Sequence, residues 1–222
     1  MPDHDDDHES DAARADLCRL LAACYYEPGP EFAEERVFAS MQEAASRVHP
    51  DFAALARRLG EAFAAADAQE LLIDYTRLFL GPIDTLAKPY GSVWLGGDTT
   101  LMQDSTMAVR ALYAEGGFDI DEGFRDLPDH VAAELEFLYL LLFRESEARI
   151  RGDAETLARV AGLRTRFLGA HLGRWIGPFT AAVREGAQTA FYRELADLTD
   201  RFVRLEAAPG MTRSVRPVHG TS

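Results

Sequence analysis

An all-α fold is what this sequence predicts, a single globular bundle of about eight to ten helices. Three observations predict it. Ala, Leu, Glu and Arg are abundant whereas Val and Ile are sparse, a balance that favours helix over strand. Apolar residues recur at helical spacing through most of the chain, and no segment alternates as a half-buried strand would. The one long departure, residues 81–97, is a central loop in which two prolines and four glycines forbid a continuous helix.

Taken in order, residues 1–9 read as a disordered acidic lead-in, with His4 and His8 as solvated tail residues. Ser10 suits the N-cap of a helix running to about Glu27, in which Leu17, Leu20, Leu21, Cys24 and Tyr25 form the apolar face. Pro28, Gly29 and Pro30 break it. A second helix begins near Glu31, turns Phe32, Val37, Phe38 and Met41 inward, and ends at His49-Pro50. Asp51 opens a third, with Phe52, Leu55, Leu59 and Phe63 in period. A fourth, residues 69–80, carries Leu71, Leu72, Tyr75, Leu78 and Phe79 and stops at Gly81-Pro82.

Beyond the central loop, Asp104 or Ser105 caps a helix through Val109, Leu112 and Tyr113, stopped by Gly116-Gly117. Residues 118–127 form a second connector. Pro128 then suits the first position of the most apolar helix, which runs to about Arg151. A helix greasy on most sides belongs at the centre of its bundle. Asp153 caps the next, with Leu157, Val160, Leu163, Phe167 and Leu168 inward. Gly173 and Gly177-Pro178 mark a bend around Trp175, and a last helix, residues 188–206, carries Phe191, Leu195, Leu198 and Phe202. Residues 207–222 read as a flexible tail, which leaves one domain over residues 10–206.

The net charge of −14, from 37 acidic and 23 basic residues, argues against nucleic acid as a partner and suits a cationic peptide. It also serves solubility alone. Cys18 and Cys24, six apart in one helix, fit neither a zinc pair nor an easy disulfide and read as core thiols. The acidic N-terminus is unlike a secretory signal, and the longest strongly apolar run, residues 138–143, is far short of a membrane span. A soluble cytoplasmic protein is expected.

Asp129, His130 and Glu134 make the sharpest constellation. With Pro128 at the first helical position, His130 and Glu134 lie one turn apart on one face, where an imidazole and a carboxylate could chelate metal or move a proton. The plainer alternative is a helix-dipole carboxylate and a local pair. Two ligands do not make a site, and His49 and His171 have no companion motif, so no metal and no cofactor is expected. Glu134, next to a nearly all-apolar run, is expected to be half-buried and to need a partner. In the central loop Tyr90, Ser92 and Trp94 alternate; on an extended segment they would share one face, as peptide anchors or as a plug for the bundle. Phosphate-loop, dinucleotide-binding and serine-hydrolase signatures are all missing.

Three ordered motifs carry a resemblance. Tyr75-Thr-Arg-Leu-Phe-Leu-Gly-Pro82, Pro89-Tyr-Gly-Ser-Val-Trp94 and Pro128-Asp-His-Val-Ala-Ala-Glu-Leu135, followed by Phe167-Leu-Gly-Ala-His-Leu-Gly-Arg-Trp175 and Phe191-Tyr192, resemble the TorD/DmsD family of redox-enzyme maturation chaperones. The resemblance implies an all-α fold without catalysis. It implies a partner as well: the twin-arginine leader and apo form of a molybdoenzyme, held in the cytoplasm until its cofactor is inserted. It maps peptide binding onto Tyr90, Ser92 and Trp94 and onto Asp129 and His130, with Glu134 beside them. Tyr90 stands where some relatives have Trp, and Leu127 replaces an acidic residue often found before Pro128. Guanine-nucleotide binding, proposed in the family, has no motif of its own here. Either a monomer or a dimer swapped through residues 81–97 or 116–127 is expected. The alternatives are a nitrate-reductase-type assembly factor for a client that is not exported, or a metal-dependent enzyme using Asp129, His130 and Glu134.

Overall fold

A computed structural model describes residues 3–29, 32, 36–81, 85–95, 104–119 and 126–208, with backbone alone for residues 3–8. Ten α-helices and one π-helical turn make up these residues, and no strand occurs among them. They are α1 (Asp3–Ala23), α2 (Val37–Val48), α3 (Pro50–Ala65), α4 (Ala68–Tyr75), the π turn (Thr76–Leu80), α5 (Gly91–Leu95), α6 (Asp104–Gly116), α7 (Val131–Arg151), α8 (Ala154–Ala170), α9 (Leu172–Gly186) and α10 (Ala190–Ala207). The expected all-α fold is what the chain adopts.

The long helices close into a circuit. α1 packs between α7 and α2, then α3, α10, α9 and α8 follow in turn, and α8 returns to α7. Inside lies one core of aliphatic side chains and large rings, among them Trp175, Tyr25, Tyr192, Phe137, Phe167 and Phe179. Cys18 and Cys24 are free and buried in it, as their apolar spacing predicts.

Several boundaries differ from the sequence reading, each for a local reason. α1 starts at Asp3, so residues 3–9 belong to the helix and Ser10 is not its cap; carboxylates near a helix N-terminus favour its dipole. α4 passes into a π turn, in which the Gly81 N–H reaches the Thr76 carbonyl. α9 continues through Gly177 and Pro178, which do not end it. Beside Pro178 the Thr180 hydroxyl donates to the Ile176 carbonyl at 2.8 Å. The expected tail from residue 209, the helix start near Glu31 and the rest of the two connectors lie outside the described residues.

Two buried polar constructions join distant parts of the chain. Asp74 on α4 accepts the backbone N–H of Gln188 and Thr189 and the Thr189 hydroxyl, so it caps α10 from another helix. At the far end of α7 three arginines meet three acids. Arg14 donates to Glu206 and Asp11, Arg164 donates to Glu145 and to the Glu206 carbonyl, and Arg149 pairs with Asp11. Burial alone would lower the Arg14 guanidinium, but its hydrogen bonds and proximity to Glu206 outweigh that and push it up. The network ties α1, α7, α8 and α10 together.

Glu206→Gln should leave Arg14 with Asp11 and Arg164 with Glu145 as their salt-bridge partners and, by removing the shared charge, cost about 1–3 kcal/mol, which urea denaturation would read as a lower midpoint at unchanged slope.

Candidate functional site

The central loop and the start of α7 are clasped to each other. Tyr90 and His130 form an antiparallel bridge, in which the Gly91 N–H donates to the Asp129 carbonyl and the Val131 N–H to the Pro89 carbonyl, each at 2.8 Å. The Asp129 side chain, 1% exposed, completes the join: its Oδ2 accepts the Ser92 N–H at 2.7 Å. Because residues 128–130 are held by the loop, α7 starts at Val131 and not at Pro128. His130 is therefore the N-cap, its Nδ1 accepting the Ala132 N–H at 3.2 Å.

The six sequence candidates are brought together, but not as an open groove. Residues 91–95 form a helical turn, so Tyr90, Ser92 and Trp94 do not share one face of an extended segment. Ser92 is buried. Trp94 is half-buried, donates Nε1–H to the Lys88 carbonyl at 2.9 Å and packs its edge against Phe179, which closes that end of the bundle. Asp129, expected to meet a guanidinium, is instead used by the clasp. Glu134 is completely buried rather than half-buried, and its Oε2 accepts Trp175 Nε1–H at 3.1 Å. His130 and Glu134, expected on one helical face, thus serve different partners. Gly91 permits this closeness, since a Cβ there would stand 2.9 Å from Trp175 Nε1 and 3.0 Å from Glu134 Oε1.

Burial sets the protonation of the site. It pushes the Glu134 carboxyl well above the usual range, against the Trp175 hydrogen bond and with help from Asp129. It pushes the His130 imidazole down to about 4, although Asp126 and Asp129 pull the other way. His171, also buried, is lowered for the same reason. Among the described residues no group of three or more His, Cys, Asp or Glu could hold a metal ion.

An outer layer covers this interior, adding Tyr26, Asp126 and Glu136, which the sequence reading missed, to Tyr90 and His130, which it named. The Tyr26 ring stacks with His130 at 6.5 Å and Tyr90 meets it edge-on at 5.4 Å. Both tyrosines are half-buried. The Tyr26 hydroxyl donates to Glu136 and that of Tyr90 to Asp126, each at 2.7 Å. Two tyrosine rings flanked by two carboxylates can accept a guanidinium, through its face on the rings and its N–H groups on the acids. His130, held neutral, does not repel it. Two signals for this layer were present. Tyr26 adjoins the inward Tyr25 and so leaves the apolar face, and Glu136 interrupts the greasiest run of the chain.

The buried pair gives opposite pH effects. For His130 the folded pKa lies below 6.5, so the unfolded chain binds more protons between about pH 4 and 6.5 and stability falls on acidification through that window. For Glu134 the folded pKa is raised, so stability falls as pH rises above 4.5. His130→Asn, which keeps a capping oxygen, should flatten the acid limb by about 3 kcal/mol. Glu134→Gln should flatten the alkaline fall; thermal melts against pH would read both.

Comparison with known proteins gives a consistent result. Residues 42–181 match the family described as nitrate reductase delta subunit. The chain is 28% identical to the chaperone protein TorD of Vibrio parahaemolyticus, over 64% of this chain and 65% of that one. It is 30% identical to the Tat proofreading chaperone DmsD of Salmonella typhi, over 65% of this chain and 62% of that one. The match thus spans less than two thirds of the length of either relative. A crystal structure of a candidate redox enzyme maturation protein from Archaeoglobus fulgidus shares the fold, with a TM-score of 0.51, 17% identity and 87% of this chain covered.

Proposed function

We propose, because this chain belongs to the TorD/DmsD family matched by the nitrate reductase delta subunit profile, that it is a maturation chaperone for a redox enzyme and not itself a catalyst. Its client is the twin-arginine leader and apo form of a molybdoenzyme subunit, held in the cytoplasm until the cofactor is inserted. The observation that carries this reading is the half-buried pair Tyr26 and Tyr90, packed on the buried His130 ring and bonded to Glu136 and Asp126. Aromatic faces and carboxylates side by side suit planar, permanently charged guanidinium better than ammonium. The −14 net charge adds long-range attraction for such a peptide. Asp129, Ser92 and Glu134 contribute from within, by fixing the loop that carries Tyr90.

The family description favours a second reading, an assembly factor for a nitrate-reductase-type client that is not exported. It shares the surface and differs in the peptide. A metal-dependent enzyme has less support, since Asp129, His130 and Glu134 each face a different protein partner.

Titration calorimetry with a twin-arginine leader should show binding, and a Lys-Lys version should bind more weakly. Combining Asp126→Asn with Glu136→Gln should weaken the leader about tenfold or more, with circular dichroism unchanged. Equal affinity for both peptides, or tight binding of a client N-terminus lacking arginines, would favour the assembly-factor reading.

A further inference from the structure

α7 is buried on most of its surface, yet one stripe of it is only partly covered by the described residues. Glu136, Tyr139, Leu140, Phe143, Glu147 and Ile150 recur at intervals of three and four and so share a face. α1 covers α7 on one side, where Cys18 Sγ donates to the Leu135 carbonyl and Asp11 meets Arg149. α8 covers it on the other, where Phe167 meets Phe137 and Arg164 meets Glu145. Between them Tyr139 and Leu140 are half-buried, Phe143 is 43% exposed and Ile150 is 66% exposed. The Tyr139 and Phe143 rings lie 6.0 Å apart. From Glu136 to Ile150 the stripe is about 21 Å long.

Charge along the stripe is graded. At the start of α7 stand Glu136 and Asp126 among the rings of the candidate site. Toward the far end Glu147 is paired with Arg151 at 3.5 Å, so its charge is offset there. The surface is acidic and aromatic at one end and apolar at the other.

We propose that this stripe seats the apolar segment of the client leader, with the arginines at the Glu136 end and the apolar segment laid along Tyr139, Leu140 and Phe143 toward Ile150. The inference rests on the function proposed above and adds to it a second contact surface and a direction. One turn of helix after another suits about twelve to fourteen residues of an apolar helix lying along the stripe. A second copy of this chain is the poorer occupant, because two bodies of net charge −14 repel and neither brings cations to Glu136 and Asp126.

The test uses two synthetic peptides, one with adjacent arginines followed by about twelve Leu and Ala residues, the other with that segment replaced by Gly and Ser. Phe143→Glu combined with Ile150→Glu alters only exposed positions. It should weaken the first peptide about tenfold or more and leave the second unchanged. Met107→Glu, on a residue 61% exposed on α6, is the control and should change neither. A photo-crosslinker at the apolar end of the first peptide should label the Ile150 end of α7. Equal affinity of the double variant and the parent for the first peptide overturns this inference while leaving the proposed function standing. So does labelling at the Glu136 end, or a dimer of the parent that the double variant abolishes. Failure of the parent to bind either peptide overturns both.

Discussion

The hydrogen bond from the Ser92 N–H to the buried Asp129 carboxylate, with the backbone bridge beside it, is the constraint on which the rest of the site depends. It joins residues far apart in sequence and fixes where α7 starts. With the helix origin at Val131, His130 becomes a cap instead of a helical residue, and its ring is set between Tyr26 and Tyr90. A carboxylate taken out of water requires strong partners. Here the partner is a backbone amide at the start of a short helix, so the loop cannot leave without exposing an unsatisfied carboxylate. The loop is stapled to the bundle by polar contacts while its aromatic side chains look outward or plug the end.

α7 is held differently at its two ends. The clasp fixes its start through backbone and a single carboxylate. The arginine and acid network fixes its end, where Glu206 and Glu145 are shared between Arg14 and Arg164. Such networks stabilise weakly compared with apolar packing but tolerate few alternatives, because each charge is costly once unpaired. Gly152 then ends the helix in the left-handed conformation, with the Asp153 N–H returned to the Ala148 carbonyl. A central helix pinned at both ends can leave one face uncovered without fraying.

The division of labour within the site follows from burial. Ser92, Asp129 and Glu134 are inaccessible and act by position, whereas Tyr26, Tyr90, Asp126 and Glu136 retain solvent contact. Burial also removes the charge from His130, which would otherwise stand as a cation beneath two tyrosines. The family comparison and the likeness to a solved maturation protein agree with the fold.

By itself the sequence determined the helical class, the order of the helices and the core. Those follow from apolar spacing, proline and glycine stops and caps such as Asp153, which are local effects readable along one dimension. It also marked the central loop and the Asp129-His130-Glu134 cluster as unusual. Only the tertiary structure decided what they do. The clasp depends on residues 90–92 meeting residues 129–131, a pairing that no local periodicity encodes, and it moved the start of α7 and turned His130 from a first-turn helical residue into a cap. Burial of Asp129 and Glu134 was likewise set by neighbours such as Trp175, supplied by a helix forty residues away. Tyr26 and Glu136 each left a weak local signal in the sequence, but their meeting with His130 and Tyr90 is a matter of adjacency in space, and adjacency is settled when the helices close their circuit.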